Sequence, residues 1–361
     1  MSSPYKSLPG HSFWRRAIES VPPPLVNPAV CAPFSLSPSD AVMTAGSCFA
    51  QYIGAMLQAT NFNYLVTEPA HPIFQPGQVK AYNYGVFSAR YGNVYTARQL
   101  RQLLERAYGR FTPRENIWAE ADGSFLDPFR PQIQPGGFLS RREFELDRQQ
   151  HFAAVRRAFE SLDVLVFTLG LTEAWVASED GAVFTICPGT SGGVFDPAKH
   201  EFHNFTVSEV VADMCAFIDA LRTVNPRAKL ILTVSPVPLV ATARADTHVL
   251  TATTYSKSVL RVAAEMLTQS RPNVAYFPAY EIIMSRAFDA GTYFAADKRN
   301  VVRPGVAHVM RVFAEVFTGI TASAPPPAPA PVPKPAGDGA YMRKMEELMQ
   351  VHCDEVALDP G

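Results

Sequence analysis

The sequence predicts a three-layer α/β/α sandwich built on a mainly parallel sheet, and three observations point to it. Two short runs, 164–169 and 230–234, each apolar but for one threonine, have the composition of strands covered on both faces. Between the strand-like runs lie stretches whose apolar residues recur at helical spacing, so strand and helix alternate along the chain. Alternation of this kind joins parallel strands through right-handed crossovers. Third, the apolar run 41–45 breaks at Gly46-Ser47, and Phe49, Ile53, Met56 and Leu57 then follow at i, i+4, i+7 and i+8. That is a buried strand, a tight turn and an amphipathic helix.

Taken in order, residues 1–38 hold eight prolines and few periodic apolar positions, which predicts an extended arm over the surface. After the 41–58 unit, residues 62–66 form a candidate second strand, and 68–92 is loop-rich. Thr96 and Gln99 make a capping box for a helix that Gly109 closes. The Pro- and Gly-rich stretch 111–140 is an excursion from the sheet, of the length that shapes a pocket. Ser140 and Glu143 cap the next helix, whose buried stripe includes Phe152, Val155 and Phe159. The strand 164–169 ends in the turn Gly170 to Glu173, and 177–205 reads as irregular. Thr206 and Glu209 then cap a helix with Val210, Met214, Phe217, Ile218 and Leu221 on one face. A strand at 230–234, a helix at 254–269, a strand at 274–277 and a helix at 304–317 complete the domain, bounded at 39–320. Residues 321–338 form a Pro/Ala linker, and 339–361 carry a short amphipathic helix with Tyr341, Met345, Leu348 and Met349. That helix is a candidate for docking on the domain or on a protein partner.

Composition removes several classes of function. The chain has 361 residues, 47% of them hydrophobic and 18% charged, with a net charge of −1. Nothing in that balance attracts nucleic acid or an anionic membrane. There is no apolar run of spanning length and no secretory signal, because Arg15 and Arg16 lead into prolines. Five scattered cysteines without CxxC spacing imply free thiols, hence a cytoplasmic protein without a disulfide or zinc framework. No cofactor is implied.

Chemistry points to Ser47. A hydroxyl in a strand-to-helix turn, beside the free N–H groups of a helix N-terminus, suits acyl transfer or ester hydrolysis. The competing reading is a helix N-cap. Cys48 is a rival nucleophile, but adjacent residues entering a helix point about 100° apart, so Ser47 is placed in the pocket and Cys48 inside. His200 and His203, with Asp196, give an HxxH metal reading that is set aside because the spacing needs a helix.

The run Gly46-Ser47-Cys48-Phe49-Ala50 resembles the signature of the GSCFA family, which is similar to the SGNH/GDSL hydrolases. The stretches 167–175, 232–239 and 276–281 resemble the same family in the same order, so the likeness spans about 40–318. The resemblance implies an SGNH-like serine esterase or O-acyltransferase, with an acylated small molecule or glycan as partner. It implies Ser47 as nucleophile, an oxyanion held by the Ser47 N–H, by a backbone donor assigned to Gly85 and by Thr172, and substrate contacts from Asn300 and from Gly170 and Glu173, which share the turn with Thr172. There Thr172 stands where the superfamily has Asn. The superfamily's Asp-x-x-His falls on Asp297 and Asn300, and Asn is no general base. His308 and then His248 are the imidazoles expected to replace it. The alternative is a catalytically inactive carbohydrate- or partner-binding protein on the same scaffold.

Overall fold

The computed structural model describes residues 3–60, 62–285, 292–319 and 353–359. The linker 321–338 and the helix expected around 341–349 lie outside them. Four parallel strands form the central sheet: β1 (Val42–Gly46), then, with two short strands intervening in the chain, β4 (Val164–Leu169), β7 (Lys229–Val234) and β8 (Val274–Phe277). They lie side by side in the order β1-β4-β7-β8. The segment expected as a second strand contributes a single parallel bridge, Val42 to Tyr64, on the free side of β1.

Side chains alternate across this sheet because the strand period is two. From β4, Leu165, Phe167 and Leu169 enter one core layer with α3 (Ala97–Ala107), α4 (Arg141–Ser161), α5 (Val207–Val224) and α6 (Val249–Ser270). Val164 and Val166 enter the other, against α1 (Phe49–Ala59), α7 (Ala279–Met284) and α8 (Arg303–Thr318). The caps read from the sequence form: Thr96, Ser140 and Thr206 accept from Gln99, Glu143 and Glu209 N–H respectively. A short helix, α2 (Pro76–Ala81), precedes the turn that holds Gly85. The N-terminal arm is pinned to α8. Val26 and Leu36 are buried, and the Leu36 N–H donates to Phe317 O at 2.6 Å.

The excursion 111–140 contains a small hairpin of β2 (Trp118–Ala119) and β3 (Phe125–Leu126). The stretch read as irregular is also corrected. β5 (Glu173–Ala177) and β6 (His200–Asn204) pair antiparallel, Trp175 opposite Phe202. The sequence of β6, His-Glu-Phe-His-Asn, has one large apolar residue, so it carries no alternation to detect. No helix among the described residues is long and apolar enough to cross a membrane.

A buried charge network ties the excursion to this frame. Arg130 reaches Asp127 and Asp147, each at 2.8 Å, Arg90 reaches Asp147 at 2.8 Å, and Glu68 meets His151 Nδ1 at 2.8 Å. Burial alone would raise the Glu68 carboxyl, but His151, Arg130 and the Arg90 N–H hold it down to about 2. His151 is lowered, by burial first and then by Arg130. Both shifts weaken the fold in acid. The unfolded chain protonates its histidine below about pH 6.5 and its glutamate below about 4.3, before the folded chain does. Stability is thus full above about pH 6.5 and falls in two stages below it. Thermal melts from pH 7.5 to 4 check this, and His151→Gln is expected to flatten the upper stage. A melting temperature unchanged down to pH 4 counts against it.

Candidate active site

Ser47 sits where the sequence places it, between β1 and α1. Gly46 ends the strand at φ 140°, and Cys48 already has helical torsions at the N-cap. The Ser47 N–H donates to Thr168 O at 3.3 Å, so it is committed to the sheet edge and not aimed at an oxyanion. The Ser47 Oγ is buried and has no hydrogen-bond partner among the described residues. Buried hydroxyls are normally satisfied, so an orphan one asks for a reason.

The turn after β4 comes up against it. A methyl group on Gly170 would stand 2.9 Å from Ser47 Cβ, which makes glycine necessary for this approach. Tyr95 O accepts from both Gly170 N–H (3.1 Å) and Leu171 N–H (3.0 Å), and Val94 N–H donates to Gly46 O at 2.8 Å. From α6, Lys257 Nζ donates to Gly170 O at 2.7 Å, and Ser256 Oγ accepts from Thr172 N–H at 3.0 Å. Residues 94–95 therefore bridge the two turns, and the pair 256–257 holds the Gly170 turn on α6.

Residues 353–359, largely a 3-10 turn (Asp354–Leu358), lie over this junction. Asp354 Oδ2 accepts from Asn93 Nδ2 at 2.7 Å and from Tyr95 Oη at 3.3 Å. Glu355 meets Arg299 Nη2 at 3.0 Å. Cys353 Sγ is 3.6 Å from Cys48 Sγ. Burial lowers the Lys257 amine, against the raising influence of Glu355 and Cys48. Burial likewise raises Glu355, and it raises Asp354 to about 6.

The other residues singled out from the sequence are placed elsewhere. His308, on α8, is buried, with Nδ1 on Tyr293 Oη (2.8 Å) and Nε2 on Val26 O (2.7 Å). It holds the N-terminal arm and makes no hydrogen bond to Ser47 Oγ. His248 caps α6, accepting the Leu250 N–H at 3.1 Å. Neither imidazole supplies the expected base. Asp297 accepts the Arg299 and Asn300 N–H groups in an exposed turn, and Asn300 Nδ2 donates back to it. The Thr172 hydroxyl donates to Asn204 Oδ1 at 2.7 Å, and a hydroxyl has one proton to give, so it is unavailable to an oxyanion. Gly85 O accepts from Gln58 in the last turn of α1, the opposite end of that helix from Ser47. Glu173 accepts from Thr242 Oγ1 and lines a cavity of about 220 Å³. Gln99, Trp175, Phe202, Glu355 and Leu358 also line that cavity. On β6, His200 and His203 diverge, to Glu115 and Glu209.

Asn93, Tyr95, Lys257 and Arg299 were not legible as site residues, though one left a trace. Lys257 shares a buried stripe with Leu260 and Ala264, at i+3 and i+7, so a charge stands on an inward helix face.

The GSCFA family profile matches residues 41–313 of the chain. No match was found among curated proteins.

Proposed function

Because the chain belongs to the GSCFA family, we propose that it is a serine-dependent esterase or O-acyltransferase with Ser47 as nucleophile. The observation that carries this reading is the buried, unpartnered Ser47 hydroxyl, set on a strand-to-helix turn and touched by Gly170. Two donors, Asn93 Nδ2 and Tyr95 Oη, already donate to one carboxylate oxygen of Asp354. A developing oxyanion asks for the same kind of donors.

With no imidazole bonded to Ser47 among the described residues, Lys257 is the base in this proposal. Its amine is held at Gly170, the glycine that touches Ser47, and burial favours the neutral form that accepts a proton. Leaving the Gly170 carbonyl, Lys257 takes the Ser47 proton as Oγ attacks the acyl carbon, then returns it to the departing alcohol. The cavity beside this turn supports an acylated glycan as substrate. Trp175 and Phe202 offer ring faces there, and Gln99 and Glu173 offer polar edges.

A binding role without turnover is the second reading, favoured by the absence, among the described residues, of a histidine bonded to Ser47 and by the segment lying over the site. Labelling with a fluorophosphonate separates them. Wild type is expected to gain one adduct, on the peptide containing Ser47, and Ser47→Ala none. Lys257→Met should slow the adduct by about 10²-fold or more, the usual worth of a general base. No adduct on any of the three proteins favours binding alone.

A further inference from the structure

We infer that Cys48 and Cys353 are a reversible redox pair, and that their disulfide fastens the 353–359 segment over the Ser47 turn. The two residues are 305 positions apart in sequence, yet their sulfurs stand 3.6 Å apart. A disulfide needs about 2.05 Å, so the sulfurs must close by roughly 1.5 Å. Rotation of the Cys353 side chain, which is not fully enclosed, supplies that movement. Both thiols are free.

The surroundings prepare one sulfur for oxidation. The Cys48 thiol hydrogen-bonds to Cys353, and Arg299 Nη2 lies 3.7 Å from the Cys353 sulfur. These two contacts lower the Cys353 pKa against the opposing effect of burial, while the hydrogen bond and burial raise Cys48. Cys353, whose sulfur also lies 3.8 Å from Glu355 Oε2, is therefore the more readily ionised of the two and Cys48 the resolving thiol, the arrangement that peroxide-sensing cysteines use.

The oxidant is a hydroperoxide. The Cys353 thiolate attacks one peroxide oxygen, the O–O bond breaks, and the departing oxygen takes a proton and leaves as water or alcohol. Cys353 is then a sulfenic acid. The Cys48 sulfur attacks it, the S–S bond forms, the S–O bond breaks, and hydroxide leaves as water with the Cys48 proton. Two electrons pass from the thiol pair to the peroxide. A thiol reductant reverses the change. The closed form holds Asp354 on Asn93 and Tyr95, and so holds the cover over Ser47.

The test uses the full chain with equimolar hydrogen peroxide, alkylation, digestion without reductant and mass spectrometry. The expected product is one linked peptide pair, Cys48 to Cys353, two hydrogens lighter than the sum of its parts and cleaved by dithiothreitol. Cys31, Cys187 and Cys215 should remain open to alkylation. Cys353→Ser, in which the buried Cys48 is untouched, should lower Cys48 oxidation by about tenfold or more. Links to other cysteines, or Cys353 oxidised only to sulfinic or sulfonic acid with Cys48 still alkylated after unfolding, would overturn the pair. The link is read without any catalytic activity, so it stands or falls apart from the esterase reading. If Ser47 is labelled by the fluorophosphonate, peroxide should slow that labelling in wild type and not in Cys353→Ser.

Discussion

Gly46→Ala is expected to destabilise the protein by about 3–5 kcal/mol, the range reached when a core position is overfilled and its backbone strained together. Gly46 has φ 140°, a conformation that a Cβ resists. The added methyl would stand 2.4 Å from Thr168 O, 2.7 Å from Thr168 Cβ and 2.8 Å from Thr168 N. Two of those three atoms are backbone of the neighbouring strand, and Gly46 is paired with Thr168 in the sheet register. Relief requires β1 and β4 to separate where Ser47 N–H also bonds to Thr168 O. Gly85→Ala is the control. Gly85 also has a positive φ, 74°, but a Cβ there meets nothing within 4 Å, so it should cost only about 1 kcal/mol. Urea denaturation of both variants measures the contrast. Equal losses would mean that torsion, and not the Thr168 contact, sets the penalty.

Arg130→Met should cost a similar ~3–5 kcal/mol, because it strips one partner from a buried ion cluster. The Arg130 and Asp127 side chains are 2% and 1% exposed. Without the guanidinium, Asp127 keeps the Phe129 N–H at 2.9 Å and Arg106 at 4.0 Å, and Asp147 loses one of its two arginines. Burial would raise the Asp127 carboxyl, yet Arg130 and Arg106 keep it below the usual carboxylate range. The loss should therefore be greatest at neutral pH, where Asp127 is charged, and smaller toward pH 4 as its freed carboxyl takes up a proton. Adding Asp127→Asn should recover part of the loss, since the neutral side chain needs no countercharge. A double variant no more stable than Arg130→Met would show that packing, not charge, dominates this cluster.

Much of the architecture is legible in local pattern. Val164 to Leu169 is apolar but for Thr168 because both faces of that strand are covered, and Thr96, Ser140 and Thr206 are caps because each has Gln or Glu three residues on. Gly46-Ser47 is legible as a turn for the same reason: a strand period stops and a helix period begins across it. Patterns of this kind report which side of an element is buried, and nothing more.

Which buried or loop residues meet is set by how remote turns converge, and that belongs to the tertiary structure. A histidine on an apolar helix face has the same sequence context whether it faces a nucleophile or a loop. The structure gives His308 to Tyr293 and the Val26 carbonyl. It turns the Thr172 hydroxyl to Asn204 on a strand that shows no alternation. It brings Lys257 to Gly170, and it lays Cys353 and Asp354 beside Cys48 and Asn93 from the far end of the chain. The sequence by itself determined the sandwich and the strand-to-helix turn at Ser47, because periodicity and capping act over a few residues; that the turn is buried came from the fold. Only the folded chain decided what surrounds Ser47, because hydrogen bonds and ion pairs form between groups whose separation in sequence carries no signal.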